Sequence, residues 1–447
     1  MHYTGRMQNI VSFAPLLFAA IILLAVNDLQ ARPSTQVKSA VDRAENPGTV
    51  AEALILPYAF SAESTEFVIG VGGMRKGFHQ EQMLVGGAAF AGEDSYGGFA
   101  GIWDYRIPFL RRLFVSGMGM RGYYPNHRAY SAPREAYVPP GSVRPGAHDS
   151  DEDLFIESAG DSNWLDFKLD YVLPLGAARD RGMMDYRLSR GLLVSEPTGG
   201  ERWNPLHSGV TIAVLRQYNR YQSYELKEQE LDGEIHAFEL GLLYDNTDFP
   251  INPSRGSSQY VAWHRDPGWG DSFDDWSFVE AEASKYFDLG SDRFSRQRVL
   301  ALNAWTAYSP TWDLAYNDAG GSRVENGPPF IEGANLGGFD RMRGFRDSRF
   351  HDKAAIYATA EFRYTLDYNP IQNVNWLRFL RLDWFQLVGF VEGGRVADEY
   401  RASTLFDDWK SDVGIGLRAL TAGIVVRFDL AVSEEGTNAW VMVGHPF

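Results

Sequence analysis

A period of two constrains this chain more than any other feature. Short segments in which apolar and polar residues alternate recur from Leu54 to the C-terminus, and after Val26 no run approaches the length of a helical membrane span. Between Ile356 and Tyr364, for example, Ile356, Ala358, Ala360, Phe362 and Tyr364 fall on one side of an extended chain, and Tyr357, Thr359, Glu361 and Arg363 on the other. The pattern excludes further spanning helices without excluding a membrane. Glycine at 45 residues, aromatics at 14% and charged residues at only 22%, spread over many alternating segments, are the composition of a transmembrane β-barrel. In a bilayer every backbone polar group must be paired, so a sheet crosses only if it closes. Closure also removes the edges on which long sheets aggregate.

The first residues assign the compartment. Met1 to Asn9 carries one charge, Arg6, the run from Ile10 to Val26 is apolar, and Leu29-Gln30-Ala31 ends in a small residue. This is the pattern of a secretory signal peptide, residues 1–31, cut after Ala31. A single anchor helix is the rival, but the run is short for one and lacks a stop-transfer flank. Residues 32–53 are too few for a folded domain and read as a short N-terminal periplasmic segment, leaving residues 54–447 as one barrel. There is no cysteine, so no disulfide scaffold supplies stability. A net charge of −16 argues against nucleic acid as a partner, since phosphate binding needs a basic footprint.

Alternating segments can be counted from the C-terminus, and they give fifteen strands back to Phe67; even parity then requires Leu54–Phe60 as a sixteenth. Pro57 weakens that first strand, which suits a position at the closing seam, and Pro446 stands near the other end of the same seam. On this count the long charged connections fall at one end of the barrel, outward. The longest contains Gly337 to Arg349, where Arg341, Arg343, Arg346 and Arg349 lie close together among glycines. On a soluble protein such a cluster reads as a solvated patch. Above a barrel lumen lined by carboxylates such as Glu361, it can fold inward, because a guanidinium is a rigid fork matched to a carboxylate.

Arg343-Gly344-Phe345, Phe390-Val391-Glu392-Gly393-Gly394, Glu361 and the terminal Phe447 together resemble the superfamily of outer-membrane insertases and translocators that includes BamA, TamA and the two-partner-secretion transporters. The resemblance is strongest after Gly241. It implies a sixteen-stranded antiparallel barrel whose sixth extracellular loop folds into the lumen with its Arg-Gly-Phe tip. It also implies a lock in which Arg343, Gly344 and Phe345 meet Glu361, Phe390, Glu392 and Gly394. Glu392 departs from the family pattern, which has Asp there. The family's client-receiving POTRA domains find no room in this chain, so it resembles a subgroup without them. The resemblance implies insertion or translocation of protein or lipid at the bacterial outer membrane. Expected partners are outer-membrane lipid, lipopolysaccharide and the barrel assembly machinery, which would read Phe447; a separate periplasmic partner and a homodimer stay open.

Three other readings stand beside this one. The ionic cluster can be a plain structural plug rather than a gate. A passive porin for small solutes is a further alternative, though an inward loop would obstruct it. An enzyme would need a nucleophile and base, and His207 with Ser208 point to opposite faces of an extended chain, so none is expected. The acidic run Asp149 to Asp153 reads as a solvated loop, and no metal or cofactor is expected.

Overall fold

The computed structural model describes residues 34–45, 52–133, 136–200, 202–225, 233–272, 274–371 and 374–447. The segment read as a signal peptide lies outside the described residues. A short strand, β1 (Ser39–Arg43), comes first, followed by a meander of β2 (Glu52–Ala62), β3 (Glu66–Lys76), β4 (Leu84–Gly92), β5 (Tyr96–Arg106), β6 (Leu113–Ala129) and β7 (Ile156–Val172). After two small strands, β8 (Met184–Ser189) and β9 (Leu192–Leu193), it resumes with β10 (Val210–Gln222), β11 (Gly233–Asp245), β12 (Gly256–Pro267), β13 (Asp275–Asp288) and β14 (Ser295–Tyr308). A long connection carries β15 (Asp313–Tyr316), β16 (Ser322–Glu325), β17 (Ala334–Leu336) and β18 (Phe350–Asp352). The chain then ends with β19 (Ala354–Leu366), β20 (Leu382–Ala397), β21 (Lys410–Thr421), β22 (Ile424–Ser433) and β23 (Gly436–Val443).

A 16-stranded sheet takes β2 to β7, β10 to β14 and β19 to β23 in sequence order, all antiparallel, as the alternation predicts. The strand supplied by parity is β2. Side chains sort by the period of two: on β19, Tyr357, Thr359, Glu361 and Arg363 are buried while Phe362 is exposed. Phe67, Ile69, Val71, Val413 and Ile415 likewise stand exposed on the outward face. Apolar groups outside and charged groups inside invert a soluble protein, and that inversion is what a lipid belt demands.

Among the described residues no backbone ladder joins β2 to β23. The two ends of the sheet lap instead. Leu54 and Leu56 of β2 pack with Ala419 and Val426, whose side chains belong to the outward faces of β21 and β22, and with Leu377 and Leu380 of the connection before β20. Pro57 lies on this overlapping strand. Pro446 does not lie on its partner, because β23 ends at Val443 and the last residues turn into the lumen. There Arg418 Nη1 meets His445 Nδ1 at 2.7 Å, and the Phe447 ring lies 5.1 Å from the Arg363 guanidinium.

The periplasmic half of the lumen is filled. The connection between β7 and β10 folds into a small sheet of β8 and β9, and β1 adds to β8 in parallel, from Ser39 opposite Met184 to Arg43 opposite Leu188. Val37, Met184, Tyr186 and Leu188 then form one apolar core with inward residues of the barrel wall such as Phe114 and Ile212. Of the segment expected as a periplasmic lead-in, residues 34–45 are therefore built into the barrel. Its one buried cation, Lys38, finds its counter-charges only there.

Candidate functional site

The sixth outer loop, residues 309–353, descends into the outer half of the lumen and brings Arg343 to the wall formed by the last five strands. Register places the receiving groups. Glu361 on β19 stands opposite Phe390 on β20, Glu392 on β20 opposite Asp412 on β21, and Asp429 on β22 opposite Gly416 on β21. Because each strand alternates, all of these side chains point inward together.

Arg343 is completely buried and uses both ends of its fork. Nη1 donates to Asp429 at 2.7 Å, and Nη2 donates to Glu361 at 2.9 Å and to Glu392 at 3.1 Å. Its backbone N–H donates to the second oxygen of Glu392 at 2.6 Å. The guanidinium lies 3.4 Å from the centre of the Phe390 ring, a cation over an aromatic face. Its carbonyl accepts from the Trp440 indole N–H at 2.8 Å, which ties the loop tip to β23, the last strand of the sheet.

The two neighbours of Arg343 in the tip fit for reasons of space. A Cβ on Gly344 would stand 2.5 Å from Cβ of Asp412 and 3.0 Å from Cβ of Ser433, so only glycine lets the tip approach β21 and β22. Its carbonyl then accepts from Ser433 and Asn438, each at 2.7 Å. Phe345 is fully buried in an apolar cluster with Trp305, Leu336, Met342 and Phe350. Gly414, opposite Phe390, performs the same service in the wall: a Cβ there would lie 2.2 Å from the Phe390 ring. Gly394 leaves room for Leu336 of the loop, whose Cδ1 would lie 2.9 Å from a Cβ.

Around this pair of elements the charges interleave. Glu361 accepts from Arg418 at 2.7 Å and from Arg363 at 2.9 Å besides Arg343, and Asp429 accepts from Arg427 at 2.8 Å. Arg427 also pairs with Asp340 of the loop. Four guanidiniums, Arg343, Arg363, Arg418 and Arg427, thus lie among five buried carboxylates, Glu361, Glu392, Asp412, Asp429 and Asp340. In so dry a place a charge that loses its partner is costly, whereas the complete set is close to neutral in net stability. The structure brings together Arg343, Gly344, Phe345, Glu361, Phe390 and Glu392, with Gly394 supporting the loop from the wall.

The other loop arginines do not all join. Arg341 pairs with Glu282 at 3.2 Å over the Trp305 ring, and Arg349 pairs with Glu435 at 2.9 Å. Arg346 instead meets the Tyr130 hydroxyl and the Glu152 carbonyl, each at 3.4 Å. Sequence reading missed Asp429, Arg418 and Arg427 as members of the cluster. The signal was present, since Arg427 and Asp429 interrupt one face of an otherwise apolar strand. Lys38 was missed entirely: its ammonium lies 2.7 Å from both Asp104 and Asp170. Ser208 Oγ donates to the Arg202 carbonyl at 2.8 Å, so its hydroxyl is engaged by backbone. At the outer rim His148, Asp149 and Asp408 come together, with Asp408 exposed and within 3.9 Å of Arg395.

Comparison with known proteins places these observations in a family. The sequence pattern described as the Omp85 superfamily domain matches residues 167–439, more than half of the chain. Among solved structures the fold is similar to CdiB from Escherichia coli, with 13% identity and a TM-score of 0.51 over 88% of this chain and 60% of that one. BamA from Haemophilus ducreyi lacking POTRA domains 1–3 matches with 12% identity and a TM-score of 0.45, over 89% of this chain and 69% of that one. CdiB from Acinetobacter baumannii matches with 12% identity and a TM-score of 0.44, over 88% and 58%. The chain therefore spans about 60% of the E. coli CdiB chain that it resembles. No curated protein sequence matches it.

Proposed function

This chain belongs to the Omp85 superfamily of outer-membrane barrels, and from that membership we propose that it passes or inserts protein or lipid at the outer membrane through the seam between β2 and β23. The observation that carries the reading is the seam itself: the ends of the sheet meet by overlapping side chains and, among the described residues, without a ladder. Closing a barrel by side chains alone leaves backbone groups at the seam for an incoming strand to use. The last strand is also the shortest of the barrel, β23 with 8 residues, against 17 in β6. Eight residues at about 3.3 Å each, tilted by about 40°, cover roughly 20 Å, less than the usual apolar band of about 25 Å, so lipid beside the seam is thinned.

The loop lock supports the same reading. Arg343 engages β19, β20 and β22 by charge, and its carbonyl engages β23, so the lock holds one side of the seam as a unit. Its role would be to keep that wall rigid while the β2 side moves. A lumen filled by the loop above and by the β8 and β9 sheet below argues against a passive porin. Phe447 would be read by assembly machinery before folding, and after folding it caps the lumen beside Arg363.

The test is reconstitution. Proteoliposomes carrying this protein should accelerate the folding of a small client barrel, or the exchange of fluorescent lipid between leaflets, while staying impermeable to small sugars in a swelling assay. Rapid swelling with no effect on client or lipid would overturn the proposal in favour of the porin.

A further inference from the structure

Residues 34–45 are seated like a bound peptide. Two features dominate their docking: a ladder of five residue pairs on the edge of β8, and a lysine reaching into the wall. Lys38 Nζ donates at 2.7 Å to Asp104 on β5, at 2.7 Å to Asp170 on β7, and at 3.1 Å to Thr35 of its own segment. Asp170 also has Lys168 at 3.6 Å, and Lys168 donates to the Ser34 carbonyl. Ser34 in turn meets Tyr260 at 2.8 Å and the Glu239 carboxylate, deep on the inward faces of β12 and β11. Val37 and Ala40 are buried, and Val37 packs into the apolar core of the plug. At the other end Arg43 pairs with Glu52 at 2.7 Å and with Asp383, and Glu45 accepts from Ser189 at 2.8 Å.

Such seating is specific yet weak in the backbone. Five parallel pairs at the edge of a three-stranded sheet make a marginal ladder, and parallel pairing is the less stable kind. The side-chain pocket is the opposite: if the segment leaves, Asp104 and Asp170 lose their main cation within the wall. Simple departure is therefore disfavoured, while replacement by another chain with a cation at the same place is not. We infer that the β8 edge together with Asp104 and Asp170 is a receptor for an extended peptide that carries one lysine into the wall, occupied in this structure by the chain's own residues 34–45.

The ligand class follows from the contacts. It is an extended polypeptide that runs parallel to β8 with a lysine at the Lys38 position, an apolar residue just before it and a small residue two places after. A periplasmic protein presenting such a segment would displace β1 and take its place by strand addition. This exchange is independent of whether the seam opens.

The absence of cysteine makes the test direct. In the full chain reconstituted in liposomes, Ala40→Cys places the sole thiol under the docked strand, where maleimide labelling should be slow. A synthetic peptide of residues 34–45 in excess should raise the labelling rate about tenfold or more by displacing the strand. The same peptide carrying Glu in place of Lys38 should not. Val41→Cys with Tyr186→Cys, which stand opposite in the ladder, should form a disulfide. Added to Ala40→Cys, after oxidation, that pair should abolish the response to peptide. Slow labelling that no peptide concentration changes would mean a permanent seal, and fast labelling without peptide would mean an undocked segment. Either result overturns the inference.

Discussion

The guanidinium of Arg343, at the tip of an outer loop, stands 2.9 Å from the carboxylate of Glu361 on β19, and neither side chain has any solvent exposure. Glu361 simultaneously serves Arg363 and Arg418, so it is the shared anion of three cations. Glu361→Gln should therefore be more damaging than Arg343→Met. The first leaves three guanidiniums around a neutral amide and should cost about 3–5 kcal/mol, whereas the second strips only Glu392 of its cation, Glu361 keeping Arg363 and Arg418 and Asp429 keeping Arg427. Urea unfolding followed by the heat-modifiable shift on gels measures both. Equal losses would show that the cluster is not organised around Glu361.

Gly344 isolates the role of the loop tip without touching a charge. Gly344→Ala drives a methyl into Asp412 and Ser433, so the tip should lift and the loop should become open to protease, as in Arg343→Ala. Gly389 offers the control: on the neighbouring strand β20, nothing lies within 4 Å of its missing Cβ. Gly389→Ala should leave cleavage and stability unchanged, within about 0.5 kcal/mol. Limited proteolysis of intact proteoliposomes distinguishes the two.

Acid should loosen the outer loops through His351. Burial, helped by the nearby Arg144 guanidinium, pushes its imidazole down from 6.5 to about 3. A base held down in the folded state binds fewer protons folded than unfolded between those values, so its contribution is intact above pH 6.5 and is lost as pH falls towards 3. The loss is roughly 1.4 kcal/mol per pH unit in that window. The backbone N–H of His351 donates to the Gly146 carbonyl of the third outer loop at 2.7 Å, so the two loops meet beside this imidazole. Protease sensitivity of both loops should therefore rise between pH 6 and 4, and His351→Gln should flatten the rise.

Much of this architecture could be read before any coordinates. The alternation places Glu361, Arg363, Arg427 and Asp429 inward because a barrel wall has only two faces, and parity supplies β2. The Arg343 site came instead from the resemblance of Arg343-Gly344-Phe345 to a family motif, since alternation turns Glu361 inward without saying which arginine meets it. What escaped was whatever depends on long-range register. Asp429 is 86 residues from Arg343 in the chain, and although its place on the inward face of an apolar strand is legible, nothing local says which cation it meets. Lys38 meets Asp104 and Asp170 across 66 and 132 residues, through a segment whose composition resembles a linker. The lapped seam was also invisible, since Leu54 and Leu56 alternate as any strand would. Pro446 was misplaced because a strand end cannot be told from an inward-turning tail by pattern alone.

Because the lumen is filled from both ends, conductance should depend on two locks rather than one. Arg343→Ala frees the outer loop but leaves the β8 and β9 sheet and the Lys38 pocket in place, so single-channel recordings should show only brief, small openings above a nearly closed wild type. Lys38→Ala alone exposes Asp104 and Asp170 to one another's charge at the inner end while the outer lock holds, and should likewise conduct little. The double variant should conduct far more than the sum of the two singles, since resistances in series are relieved only when both fall. If Arg343→Ala alone gave a large steady conductance, the inner plug would not seal the pore, and the reading of residues 34–45 as a lumen-filling segment would fail with it.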